Sequence, residues 1–404
     1  MAQKLQEEGY KIVEINEKPN IIIVNTCTVT NISDRKSRQM LRKAKEENDD
    51  VIVVAVGCYA QVAKQTLEEM DEIDIVLGNT EKCDITRHLK KYFEKKAKIC
   101  EVSDIAKEKE FCEFGTTTYT EKVRASIKIQ DGCNNFCTYC LIPYARGRIR
   151  SRNPKSVIDE IKEIVKKGIK EVVITGIHIA SYGKDLENYT LIDLLEDLNK
   201  IEGIRRIRLG SLEPTIITEE FTERLAKLEK ICNHFHLSLQ SGCNETLKRM
   251  NRHYTTEEFK KVTDILRKYF KNVNLTTDII VGFPGETDNE FETTYKFLEN
   301  IKFYKMHVFK YSKRDGTVAA GMSNQIDGNV KEERSRRLIE MSNQNQIEYN
   351  RNYEGCRLEV LIEEKQGEYY VGHTSNYMSV RTKDLNCNEN EFYEVIIGKN
   401  AEIY

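Results

Sequence analysis

The sequence predicts an α/β chain in three parts: an N-terminal parallel α/β domain over about residues 1–95, a partial (β/α)6 barrel over 119–349, and a small C-terminal β-barrel over 350–404. Three observations predict it. Apolar, β-branched runs alternate with amphipathic stretches through the first part. Strand and helix patterns then alternate six times, short of the eight units of a full barrel. Past Tyr349 the pattern changes to short alternating strands separated by Gly and Asn.

The first stretch, MAQKLQEEG, reads as a short helix with Ala2 and Leu5 inward and Gly9 as its stop, followed by a strand KIVEI. The runs IIIVN, VIVVAVG and IDIVLG are the strands of the parallel unit. Cys27 follows the first of these and Cys58 closes the second. Sites in open α/β sheets lie beyond the carboxyl ends of strands, so both thiols reach the same edge. Each is either a ligand there or a small buried hydrophobe. A parallel unit should begin with a strand, yet this one begins on a helix. Met1 is therefore expected to be internal to a longer protein, whose upstream strand carries one more cysteine.

Residues 96–118 have weak periodicity and read as a linker. The barrel strands are RASIKIQ, EVVITG, RRIRLGSL, HFHLSLQ, LTTDIIVGF and KMHVFKYS. Between them lie helical patterns such as SVIDEIKEIVKKG, opened by Asn153-Pro154, and TEEFTERLAKLEK. A long charged helix from about Val330 to Tyr349 ends the region. The final strands are RLEVLIEE, EYYVGHT, YMSVRT and FYEVIIG.

Composition narrows the function. The chain is 39% hydrophobic and 32% charged, as in ordinary soluble proteins. Its opening stretch MAQKLQEEGYKIVEI holds no apolar h-region, and no run nears the ~18–20 apolar residues that span a bilayer. A cytoplasmic location without membrane attachment is expected, where thiols stay reduced and clustered cysteines point to metal or catalysis rather than disulfides. The net charge of −2 carries no signal for nucleic acid, but local charge is uneven. From Asp34 to Lys45 there are six basic residues and one acid; from Glu121 to Arg152 there are seven and two, with Arg146, Arg148, Arg150 and Arg152 alternating. Such runs are either solvated faces or contacts for a polyanion. From Arg351 onward the balance is acidic, ten against six.

The densest chemistry is GCNNFCTYC, with Cys133, Cys137 and Cys140 spaced C-x3-C-x2-C. Structural zinc takes four ligands, and no fourth Cys or His is adjacent. A thioredoxin-like pair would use Cys137 and Cys140 and leave Cys133 without a role. A cuboidal iron–sulfur cluster on three thiolates keeps one iron open, which a small molecule can chelate. The loop follows the strand SIKIQ, at the rim where barrel active sites form.

Here the sequence resembles the radical S-adenosylmethionine enzymes, and DGCNNFCTYCLIPYARGR resembles their methylthiotransferase branch. NTCTVTN, VGCYAQ, TGIHIASYG, LGSLEP, LSLQSG, MNRHYT and TDIIVGFPGE are similar in order, so the likeness spans nearly the whole chain. It implies a methylthiotransferase N-terminal domain, a radical core and a C-terminal TRAM domain. It further implies a 4Fe–4S cluster on Cys133, Cys137 and Cys140 whose open iron binds S-adenosylmethionine. An electron from an external donor then yields a 5′-deoxyadenosyl radical. Tyr139, Gly176, Glu213 and Gln240 fall in motifs that line the cofactor site in such enzymes, with a strand-end turn glycine as the alternative reading of Gly176.

A second 4Fe–4S cluster, tied to the inserted sulfur, uses three cysteines in the family. Cys27 and Cys58 match two, while Cys83, Cys100 and Cys112 lie on helix or linker and do not suit the third. Substrates across the branch are isopentenylated or threonylcarbamoylated adenosine in tRNA, or an aspartate of a ribosomal protein. NTCTVTNISDRKSRQ resembles the threonylcarbamoyladenosine group, and Arg35, Lys36, Arg38, Arg146 and Arg148 are the expected tRNA contacts. A non-enzymatic iron–sulfur protein would need neither GSLEP nor LSLQSG.

Overall fold

The computed structural model describes residues 1–28, 30–113, 123–383 and 387–404. They fall into two compact units: 1–119 with 131–150 and 312–321, and 120–130 with 151–311 and 322–404.

The first unit is built on four parallel strands, β1 (Ile21–Thr26), β2 (Ile52–Gly57), β3 (Ile75–Leu77) and β4 (Ile99–Glu101), in that order across the sheet. Val53, Val54, Ala55 and Val56 are all buried, because helices cover both faces. Successive residues of β2 feed opposite layers. Val53 and Ala55 pack with Leu41, Leu67 and Val76, whereas Val54 and Val56 pack with Leu5, Ile75 and Leu89. Thr26 pairs with Gly57 at the carboxyl end of the sheet. That register carries the site.

Three expectations are corrected here. KIVEI is not a strand: among the described residues it joins no sheet, and Ile12 and Ile15 stay 45% and 65% exposed. In the helix Ala2–Glu7, Leu5 is buried but Ala2 faces out. The supposed linker opens with β4, whose Ile99 completes the core against β3.

The second unit contains all six expected barrel strands. β5 (Arg124–Asp131), the two-residue β6 (Arg150–Ser151), β7 (Glu171–Gly176) and β8 (Arg206–Leu209) form one sheet in the order β6-β5-β7-β8. β9 (His234–Gln240), β10 (Asn274–Val281) and β11 (Lys305–Lys310) form another, parallel throughout. The four-residue β8 is too short to continue the ladder, and the isolated bridges Ile207–Ile231 and Leu212–Leu237 carry pairing toward β9 among the described residues. Phe235, Leu237 and Leu239 face the helices and join Phe259, Leu266 and Phe303 in the core. His236, Ser238 and Gln240 alternate to the opposite face.

Helix starts follow the expected chemistry. Asn153 caps Pro154–Lys166 by accepting the Lys155 N–H at 2.9 Å. Thr255–Glu258 and Thr287–Glu290 form capping boxes for Thr256–Tyr269 and Asp288–Ile301. The long helix runs Gly328–Arg351. Beyond it β12 (Arg357–Gln366), β13 (Tyr369–Thr374), β14 (Ser379–Thr382), β15 (Phe392–Ile396) and β16 (Ala401–Ile403) make an antiparallel sheet in the order β15-β12-β13-β14-β16. The short β16 was not anticipated. Arg206 and Arg208 fasten this sheet to the barrel, donating to the carbonyls of His373, Thr374 and Ser375 at 2.9–3.2 Å. No described helix is long and apolar enough to cross a membrane.

Candidate functional site

In the first unit the chain leaves β5 through Gly132, at φ +75°, where a Cβ would overlap the Arg148 carbonyl. The Cys133 N–H then donates to Gly147 O at 3.0 Å, closing the loop. Phe136 takes the left-handed conformation, uncommon for a residue with a Cβ, at φ +49°. The Cys140 N–H turns back to Cys137 O at 3.0 Å, with Tyr139 in the turn between them. All three thiols are half-buried, and the Ile142 N–H points at Cys140 Sγ from 3.4 Å. Among the described residues no three His, Cys, Asp or Glu side chains are arranged to hold a single metal ion. A cluster asks for something else, because each thiolate takes its own iron. Three half-buried thiols on one turn-rich loop fit that demand.

The strand register brings Cys27 and Cys58 to the same edge, each one residue past the Thr26–Gly57 pair. Cys27 is exposed, whereas Cys58 is half-buried and opens the helix Cys58–Val62. Arg146, at the end of the helix Ile142–Arg146, donates from Nε to Cys58 Sγ at 3.0 Å and pairs with Asp131 at 3.4 Å. Burial opposes the charge on Arg146, but the Cys58 sulfur and the Asp131 carboxylate outweigh it and hold the guanidinium's pKa above its ordinary value. Asn79 donates to Ala145 O at 2.6 Å and lies 3.9 Å from Cys58 Sγ.

Residues 312–321 complete this unit, which nothing in their sequence announced. Arg314 reaches Thr28 Oγ1 at 2.5 Å and Asp34 at 3.4 Å, and the Ala319 N–H donates to Thr138 O at 2.8 Å. Cys83 and Cys112 are bonded to each other, Cα atoms 6.5 Å apart, so the expectation of unpaired thiols fails for this pair. The linker brings them together by running back past residues 79–83, held there by the Ser103 N–H on Glu81 at 3.0 Å.

The arginine alternation does not form a basic face. Arg146 is half-buried, and Arg150 is buried against Asp131 at 3.9 Å. Arg148 is exposed, with its guanidinium 4.6 Å from the Phe136 ring centre. On the helix Asn31–Glu47, Arg35 and Lys36 are exposed, and Arg38 leans on Tyr59, donating to its hydroxyl at 2.5 Å.

The second unit holds the other candidates. Gly176 ends β7, where a Cβ would come within 3.0 Å of Gln130 O, so close approach rather than a positive φ requires glycine. Glu213 is buried beyond β8. Its carboxylate meets His178 Nε2 at 2.5 Å on one oxygen and Arg252 Nη2 at 3.2 Å on the other. The His178 N–H donates to Gln130 Oε1 at 2.7 Å, and Arg252 donates to Ser238 O at 3.2 Å. Gln240 ends β9 at φ +69°, a conformation that costs a non-glycine residue about 1–3 kcal/mol. His178 and Arg252 were missed by sequence reasoning, although both lie inside the strings TGIHIASYG and MNRHYT. No periodicity relates either one to Glu213.

Comparison with known proteins bears on these groups. Residues 127–298 match the model of the Radical SAM superfamily, and residues 1–78 match Uncharacterized protein family UPF0004. The chain is 44% identical, over 99% of its length and 88% of the relative's, to threonylcarbamoyladenosine tRNA methylthiotransferase MtaB of Bacillus subtilis. It is 40% identical to the protein of that name from Aquifex aeolicus, covering 94% and 92% of the two chains. A tRNA-2-methylthio-N(6)-dimethylallyladenosine synthase of Clostridium botulinum is 38% identical, covering 90% and 82%. Among solved structures, the radical S-adenosylmethionine methyltransferase TsrM of Kitasatospora setae aligns with a TM-score of 0.57 at 14% identity, over 79% of this chain and 72% of that one.

Proposed function

The chain belongs to the radical S-adenosylmethionine methylthiotransferase family, and from this premise we propose that it places a methylthio group on carbon 2 of threonylcarbamoyladenosine next to the anticodon of tRNA. The reading is carried by the three-cysteine loop after β5, in a chain similar to the threonylcarbamoyladenosine enzymes along almost its whole length. Residues 1–95 serve as the methylthiotransferase domain, 119–349 as the radical core and 350–404 as the TRAM domain.

Cys133, Cys137 and Cys140 would hold a 4Fe–4S cluster, leaving one iron for S-adenosylmethionine. When bound, these groups supply one-electron chemistry and a hydrogen-abstracting radical that no side chain can generate. The chain's own residues bind, orient and shield. Tyr139, Gly176, Glu213 and Gln240 would contribute to holding the cofactor: Gly176 by leaving room, Glu213 by hydrogen bonding and Gln240 from its strained strand end. Cys27 and Cys58 would supply two thiolates toward a second cluster, the source or carrier of the inserted sulfur, and Arg146 donates to Cys58. Arg35, Lys36 and Arg38 meet tRNA phosphates, joined by Arg148. The enzyme works in the cytoplasm and draws electrons from an external donor.

Replacing Cys133, Cys137 or Cys140 by Ala should abolish 5′-deoxyadenosine formation in anaerobic assays, whereas replacing the buried Cys243 should leave it largely intact. Equal loss on replacing Cys243 would refute the assignment. The 38% identical dimethylallyladenosine relative supports a second reading, with isopentenylated adenosine as substrate. Nucleoside mass spectrometry of tRNA with and without the gene separates the two.

A further inference from the structure

Glu213 has a buried carboxylate, which must be met by donors if it is to stay in place. One oxygen receives His178 Nε2 at 2.5 Å. A carboxylate only accepts, so Nε2 carries the hydrogen. The ring's other nitrogen, Nδ1, contacts the Ser181 hydroxyl, which can donate to it. With Nε2 donating toward Glu213, Nδ1 can accept from Ser181, so a single tautomer satisfies both contacts.

The backbone of His178 is equally constrained. Its N–H is held by Gln130 Oε1 at 2.7 Å, and the neighbouring Ile177 N–H points to Gln130 O at 3.4 Å. Gln130 is itself fully buried on β5. His178 then caps the single turn Ile179–Ser181, which brings Ser181 back under the ring. Ring, backbone and the buried end of β5 form one rigid support, and Glu213 is the group it supports.

We propose that His178 is a positioning residue for S-adenosylmethionine: it fixes the Glu213 carboxylate in the orientation that meets the cofactor. The proposal rests on the reading that Glu213 faces S-adenosylmethionine. It assigns His178 to cofactor binding rather than to tRNA or to the cluster thiolates.

The test is equilibrium dialysis of S-adenosylmethionine on the anaerobically reconstituted full chain, with iron per chain measured in parallel. His178→Ala should weaken binding roughly ten-fold at unchanged iron content, the scale of one lost hydrogen bond to a charged group. His178→Gln, whose amide can still donate, should recover most of it. Glu213→Gln should also weaken binding, and adding His178→Ala to it should cost little more, as for two residues that act as one. Unchanged affinity in Glu213→Gln would overturn the reading of Glu213. Weak binding in Glu213→Gln together with wild-type affinity in His178→Ala would overturn only the present proposal. So would a His178→Gln variant as weak as His178→Ala, or a fall in iron content, since either marks a merely structural histidine.

Discussion

Two stretches of this chain have nearly the same charge pattern and opposite surroundings. Asp34 to Lys45, six basic residues and one acid, lies on the helix Asn31–Glu47 and keeps Arg35 and Lys36 in solvent. Glu121 to Arg152, seven basic residues and two acids, turns Arg146, Arg150 and Arg152 inward, toward Cys58, Asp131 and Glu160. On a helix the 3.6-residue repeat alone decides which cations face water. Where the chain passes through a strand, a short helix and loops, the decision belongs to Asp131 of the same stretch and to Cys58 and Glu160 from outside it. A basic run therefore marks a polyanion site only where its own secondary structure keeps it outside.

The comparison can be broken hardest at Arg152. Arg152→Met removes the ion partner of buried Glu160 and should destabilise the protein by about 3–5 kcal/mol in urea denaturation. Arg35→Ala should shift stability by less than about 0.5 kcal/mol. Equal stability of the two variants would erase the distinction. A smaller effect is expected from Arg35→Ala with Lys36→Ala in binding. The logarithmic salt dependence of tRNA affinity should flatten by up to about two, near 0.9 for each phosphate no longer neutralised, with no change in stability. A slope that stays as steep would return this run to the class of merely solvated faces.

The smallest effect sharpens the contrast with a third fate, burial without charge. His234 is buried, and desolvation first, then Arg208, His236, His307 and His373, holds its pKa well below the ordinary value of 6.5. The native ring stays neutral while the unfolded chain takes up a proton, so stability is full above about pH 6.5 and falls as the pH drops below it. The loss is at most about 1.4 kcal/mol per pH unit from this group. His234→Gln should flatten that part of the stability curve in denaturation series between pH 7 and pH 5.

What the sequence made legible follows from how local each cause is. Strand and helix periods act over a few residues, so the α/β class and the six barrel strands could be read directly. Cysteine spacing is just as local, because one loop must offer all its thiolates to one cluster. KIVEI failed as a strand because pairing needs a neighbour, and its own residues cannot supply one. The partners of Glu213 were illegible for the same reason. His178 lies 35 residues before it, and only the barrel's winding brings the two within 2.5 Å. Arg146 looked like a phosphate contact until Cys58, 88 residues away, claimed its guanidinium.

Residues 312–321 have a consequence in time. Arg314 meets Thr28 and Asp34 across separations of 286 and 280 residues, so these contacts just past β1 cannot form until most of the protein has been made. At about 5–20 residues per second of synthesis, that interval is roughly 15–60 s. Throughout it the amino-terminal sheet, though first off the ribosome, is without one of its own pieces. The first unit to begin folding is thus among the last to finish, since Thr28 and Asp34 wait for a segment encoded beyond the barrel's last strand.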